Sequence, residues 1–236
     1  MKNKSCLLLI FLVFYQTNAQ TSIFNDLLQK HVTKNGIVDY ASLKTDERKL
    51  DSYISYLEKI APEKSWSKNK QKAFWINVYN AYTIKIILKN YPLKSILDIQ
   101  ENGKSAWKIP FVKVGGKLYT LDHIEHQILR KTLFDPRIHV GVNCASSSCP
   151  KLGNKAFTEE NIERNLEKLM REFVNDSSRN KFLENEIQIS SIFDWFQEDF
   201  TKNGSLIEYV NTYSETKINA NAKISFLKYD WSLNSK

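Results

Sequence analysis

Cys144 opens a run of small residues, Cys144-Ala145-Ser146-Ser147-Ser148-Cys149-Pro150, that leaves room for a substrate to approach a thiol. A thiol becomes a nucleophile at neutral pH only when a base or a positive neighbour favours the thiolate. Two histidines are candidates for that base. His139 lies five residues upstream, and His126 follows Glu125 in the segment LDHIEHQILRK. A carboxylate such as Glu125 can orient an imidazole within a site. Asn77 could orient the imidazole or donate to an oxyanion, and backbone amides after Cys144 could supply further donors. The chemistry this set supports is attack on an amide or peptide bond.

Each residue also has a plainer reading. Cys144 and Cys149 could close a small loop as a disulfide, leaving a non-catalytic binding or scaffold domain. His139 could simply be hydrogen-bonded in the core. His123 and His126 could pair on a metal with the two thiolates, but C-x4-C is loose for a zinc clip, so no metal is expected. The serines at 146–148 do not form G-x-S-x-G, and there is no Walker A or dinucleotide fingerprint, so no nucleotide cofactor is expected.

The elements that must position these groups follow from periodicity. Ile23–His31 reads as a helix, Asn35–Tyr40 as a turn leading into an extended stretch, and Asp46–Ile60 as a helix ended by Ala61-Pro62. Lys70–Asn90 is the strongest helix, and Asn77 and Asn80 interrupt its apolar stripe. Buried amides need fixed partners, so each ties down a neighbouring segment or serves a site. Trp107–Tyr119 reads as a hairpin around Gly115-Gly116, and Thr120 as the N-cap of the helix carrying Glu125 and His126. Asp135-Pro136-Arg137 reads as a turn and Ile138–Asn143 as a strand, whose alternation sends His139 and Cys144 to opposite faces unless the chain turns after Asn143. A helix capped by Thr158, a short strand at Ile187–Ile189, helices in SIFDWFQEDF and Ser205–Tyr213, and a terminal extended stretch complete the chain. The pattern predicts an α+β fold, helix-rich around a small antiparallel sheet.

Lys2 and Lys4, an apolar Cys6–Tyr15 and Thr17-Asn18-Ala19 have the form of a signal peptide over residues 1–19, leaving residues 20–236 as one globular domain. The protein is then secreted or periplasmic. Loss of that segment takes the formal charge from +8 to +6, since it holds two lysines and no acidic residue. No run is long enough to predict a membrane span. The lysines are scattered and no nucleic-acid motif appears, so a nucleic-acid partner is not expected. With 42% hydrophobic residues, 7 Gly and 3 Cys, the composition excludes a disordered chain, a collagen-like repeat and a disulfide-dense miniprotein.

AFWINVYNAYTI, the run from Trp107 to Arg130, DPRIHVGVNCASSSCP, SIFDWFQEDF and the terminal YDWSLN together resemble domain-of-unknown-function family 547, over roughly residues 38–236. On that resemblance the positions that matter are Asn77, Asn80, Glu125, His126, His139 and Cys144. Plant-like members carry Ser-Pro where this chain has Cys149-Pro150, which implies a lone thiol at Cys144 in place of an essential disulfide. The resemblance also invites comparison with papain-like and transglutaminase-like folds. The expected activity is thiol-dependent hydrolysis of a small peptide or amide, with Cys144 as nucleophile and His139 ahead of His126 as base.

Overall fold

Three helices, α1 (residues 21–31), α2 (Tyr40–Thr45) and α3 (Glu47–Leu57), lead into α4 (Lys68–Asn90). Ser67 starts α4 by accepting a hydrogen bond from Lys70 N at 3.1 Å. Every residue from Trp75 to Ile84 is buried, so over that span α4 has no solvent face and forms the centre of the core. Packed on it are α3, the short helix α5 (Leu121–His123) with the π-helix Ile124–Thr132 that continues it, and α7 (Ile162–Val174). Residues 21–183 and 185–236 are described by this computed structural model. The signal peptide expected over residues 1–19 lies outside them.

The strands are short. β1 (Gln100–Glu101) pairs with β2 (Lys104–Ser105), and β3 (Val112–Val114) with β4 (Lys117–Tyr119), both antiparallel. A third sheet has β6 (Glu186–Ser190) between β5 (Lys181–Phe182), antiparallel to it, and β7 (Lys223–Leu227), parallel to it. The fold is α+β as expected, but three separate sheets replace the single antiparallel one, and the largest is mixed. The hairpin turns at Gly115-Gly116 as predicted, with φ of +54° and +75°. A Cβ on Gly115 would lie 2.6 Å from that of Ala61, so both backbone and packing require glycine there.

The segment expected to be a strand is instead the helix α6 (Ile138–Gly141). Asp135 starts it: its side chain accepts from Arg137 N and its carbonyl from Ile138 N, both at 3.0 Å. Asp followed by Pro is a helix-starting signal as well as a turn signal. Tertiary contact then overrides the β-branched composition. Gly141 lets α6 wedge between α4 and α7, where a Cβ would stand 3.0 Å from Ile76 Cδ1 and from Leu166 Cδ2. The alternation argument that separated His139 from Cys144 therefore lapses.

Thr120 caps its helix as predicted, accepting from His123 N at 2.9 Å. Thr158 does not cap α7. It lies a turn earlier, and Asn161 is the residue flanking the helix. The SIFDWFQEDF motif gives α8 (Ser191–Trp195) and α9 (Gln197–Phe200), and Ser205 and Glu208 form a capping box on α10 (Leu206–Tyr213).

Candidate functional site

The loop after α6 is held from three sides. From α4, Asn80 donates to Gly141 O at 2.8 Å and accepts from Asn143 N at 2.9 Å. Asn143 in turn accepts from Ala145 N and donates to Pro150 O, both at 2.9 Å, so its side chain spans the base of the loop. From the C-terminal segment, Ser232 O accepts from Ser147 N at 2.7 Å and Asp230 O from Ser148 N at 3.1 Å. Ala145, directly after the cysteine, has φ +59°, a sparsely populated conformation that the surrounding hydrogen bonds maintain.

Cys144 is thereby set in the wall of a cavity of about 280 Å³. Glu125, His126, His139 and Cys149 line the same cavity, so the structure brings together four of the five site residues predicted from sequence. Glu125 and His126 both reach it although they are adjacent in the chain. The wide turn of a π-helix, a form frequent at functional sites, brings successive side chains closer to one direction than an α-helix does. Asn77 is the fifth, and it does not contribute. It donates to Phe157 O at 2.8 Å and accepts from Phe157 N at 3.0 Å, which consumes its amide in tying the 157 segment to α4.

Both cysteines are free thiols. Cys144 Sγ lies 3.1 Å from Ser146 Oγ and 3.2 Å from the Tyr229 hydroxyl, and Cys149 Sγ accepts from Cys144 N at 3.2 Å. Hydrogen bonding from the Cys149 thiol, then from Ser146 and Tyr229, outweighs burial and lowers the Cys144 pKa to about 6. Burial, reinforced by its neighbour's negative charge, pushes the Cys149 thiol up. One sulfur is thus poised as thiolate and the other kept as the thiol that supports it.

His139 is almost wholly buried, stacked on Phe196 with ring centroids 4.1 Å apart. Its Nε2 lies 2.8 Å from Asp199 Oδ2, and Arg130 Nε donates to the same oxygen at 2.6 Å. Burial opposes ionisation of Asp199, but the hydrogen bonds from His139 and Arg130 prevail and hold its carboxyl at about 2. An ionised Asp199 requires the hydrogen on Nε2, which leaves Nδ1 as the basic nitrogen. Burial lowers the His139 pKa despite Asp199, so the imidazole is neutral near pH 7. His126 has a different partner: its Nδ1 lies 3.0 Å from Arg130 Nη1 and accepts from it, since a guanidinium can only donate. Glu125 accepts from the Tyr79 hydroxyl at 2.9 Å, and burial raises its pKa.

Asp199, Arg130, Tyr229 and Ser146 were not anticipated. Asp199 and Tyr229 stand in the SIFDWFQEDF and YDWSLN motifs, but nothing local distinguishes Asp199 from Asp194. Of the backbone donors expected after Cys144, the Ser146 amide is the one directed at the sulfur. The amides of Cys144, Ala145, Ser147, Ser148 and Cys149 are all bonded within the loop or to the C-terminal segment. Further polar hydrogens near the sulfur come from the side chains of Tyr229 and Ser146. The mouth is aromatic: Trp195 stacks on Trp231 at 5.7 Å, and Tyr229 sits 4.7 and 4.5 Å from those two rings. Among the described residues no group of three His, Cys, Asp or Glu side chains is placed to hold a metal ion. No helix among them is long and apolar enough to cross a membrane.

An α+β protein with a cysteine, two histidines and a buried carboxylate around one cavity is the class that fold and site define. Residues 63–174 match the family described as "Protein of unknown function, DUF547". The match takes in the α4 motif, the Trp107–Arg130 run and the Cys144 loop, and stops before Asp199 and Tyr229. No curated protein and no solved structure matches the chain.

Proposed function

We propose that this protein is a thiol-dependent hydrolase of an amide or peptide bond, acting through Cys144 and His139. The single observation that carries this reading is a low-pKa thiol in the same cavity as a neutral histidine held by an ionised aspartate. The Cys144 thiolate attacks the substrate carbonyl, and Nδ1 of His139 takes up a proton from solvent water as charge develops on the carbonyl oxygen. Asp199 stabilises the resulting imidazolium, as an orienting carboxylate does in such arrangements. The proton then goes to the departing amine, leaving an acyl thioester on Cys144. Water, deprotonated by the same imidazole, adds to the thioester and expels the Cys144 thiolate with release of the carboxylic acid, and the imidazolium returns its proton to solvent. Tyr229, whose hydroxyl burial keeps protonated, is the donor best placed for the oxyanion.

The leader-like residues 1–19 support a secreted or periplasmic setting. The size of the cavity suits a small peptide or amide.

The test is alkylation of the mature protein by iodoacetamide across pH, without reductant, with the labelled peptide identified by mass spectrometry. Rapid labelling of Cys144 with a midpoint near 6, shifted upward or slowed in His139→Ala, is the expected result. A Cys144–Cys149 bridge that persists in the folded protein, or an ordinary thiol midpoint, overturns the reading and favours a binding domain. A panel of peptide amides, with Cys144→Ser as control, then identifies the substrate.

A further inference from the structure

Apart from the thiol site, a groove of about 870 Å³ runs along one face of α7, between that helix and the loops at Lys34-Asn35 and Lys151–Lys155. Its charge is strongly one-sided. Lys34, Lys151, Lys155, Arg164 and Lys168 line it, against a single carboxylate, Glu172. The groove thus carries a net charge of four, half of the chain's formal excess of +8.

Glu172 is engaged by Lys151 at 2.9 Å and approached by Lys168 at 3.9 Å. Among the described residues, Lys34, Lys155 and Arg164 have no ion pair, and the side chains of Asn35, Asn154 and Asn165 make no hydrogen bond. A concavity walled by one sign of charge focuses potential and concentrates counter-charged ligands. It is also built in advance. Lys151 Nζ donates to Lys34 O at 3.2 Å, and a Cβ on Gly36 would lie 2.5 Å from that of Lys151, so the two loops are latched together.

We propose that this groove binds a chain of anionic polysaccharide. The ammonium and guanidinium groups match its carboxylates or sulfates, and the unpartnered amides match its hydroxyls. The apolar lining consists of Phe157 and Leu169, only 4% and 8% exposed. That leaves no aromatic platform on which nucleic-acid bases could stack, and little apolar surface for peptide side chains. A concave site also suits a threadlike polymer better than the plane of a membrane. The groove requires nothing of Cys144.

The test is fluorescence anisotropy of labelled polygalacturonate titrated with the full protein at several salt concentrations. Binding at low salt should weaken steadily as salt screens the groove. Removing two of its cations in Lys155→Ala/Arg164→Ala should weaken binding about tenfold or more. The same charge loss elsewhere, in Lys104→Ala/Lys117→Ala, should leave it within about twofold. All four residues are exposed, and thermal melts verify that both variants fold. Absence of binding at low salt overturns the proposal, as does an equal loss in the two double variants. Tighter binding of polyglutamate or single-stranded DNA overturns the assignment of the polymer. Cys144→Ser should bind like the wild type, so the groove stands or falls separately from the thiol reading.

Discussion

Two buried carboxylates in this protein are held at about 2 by the same physics, yet their surroundings differ completely. Asp135 accepts from Lys72 at 2.8 Å and from Arg137, and Glu163 completes a closed cluster beside the start of α6. Asp199 accepts from Arg130 and His139. The first network has only permanent cations as partners and is absent from the lining of the thiol cavity. The second includes a histidine, a group that can gain and lose a proton, which lines the same cavity as Cys144. A strongly shifted carboxyl therefore marks a buried ion pair in either case. What its partners can do, and whether a cavity adjoins them, separates structural from chemical use.

The largest effect that would sharpen this comparison is loss of the nucleophile. Cys144→Ser should lower hydrolysis of any cleaved amide about 10⁴-fold or more while changing thermal stability little. Asp199→Asn should follow, reducing the rate about 10²-fold or more because the imidazole loses its fixed tautomer and the partner of its charged form. Asp135→Asn should do the opposite, destabilising the fold by about 3 kcal/mol in denaturant titrations because the buried Lys72 and Arg137 lose the carboxylate they share and keep only Glu163, with rates unchanged in the protein that remains folded. If both aspartate variants lost activity and stability in the same proportion, the distinction between the two networks would collapse.

A smaller contrast lies on α4. Asn77→Ala and Asn80→Ala should each cost about 1–3 kcal/mol, since each leaves buried backbone groups without a partner. Only Asn80→Ala should also slow alkylation of Cys144, because only Asn80 holds the loop that carries it. The last contrast is acid sensitivity. Both aspartates have folded pKa values below their unfolded ones, so their stabilisation is complete above about pH 4 and is lost as pH falls toward 2. Denaturant midpoints measured across that window should fall in the wild type and fall less steeply in Asp135→Asn.

The candidate site was partly legible. Cys144 and His139 could be picked out because a thiol and an imidazole close to a run of small residues are unusual, and Glu125 and His126 because a carboxylate and an imidazole are adjacent there. Asn80 was flagged correctly as a buried amide needing partners, and the same argument applied to Asn77 could not say which partner each would meet. Their backbone clamps close on Gly141–Asn143 and on Phe157, segments more than sixty residues away in sequence. The strand predicted at Ile138–Asn143 failed because its alternation is also compatible with one buried helical turn, and the Asp-Pro start decides in favour of the turn.

Local sequence determined the elements whose signals lie within one or two turns: the apolar period of α4, the caps at Ser67, Thr120 and Ser205, and the Gly115-Gly116 hairpin. Tertiary structure alone decided that His139 takes Asp199 as its partner, that Tyr229 reaches the sulfur, and that Cys149 supports Cys144 as a thiol. The physical reason is range. Capping and periodicity act between neighbours along the chain, whereas pKa values and hydrogen-bond partners depend on desolvation and contacts set by the packing of distant segments.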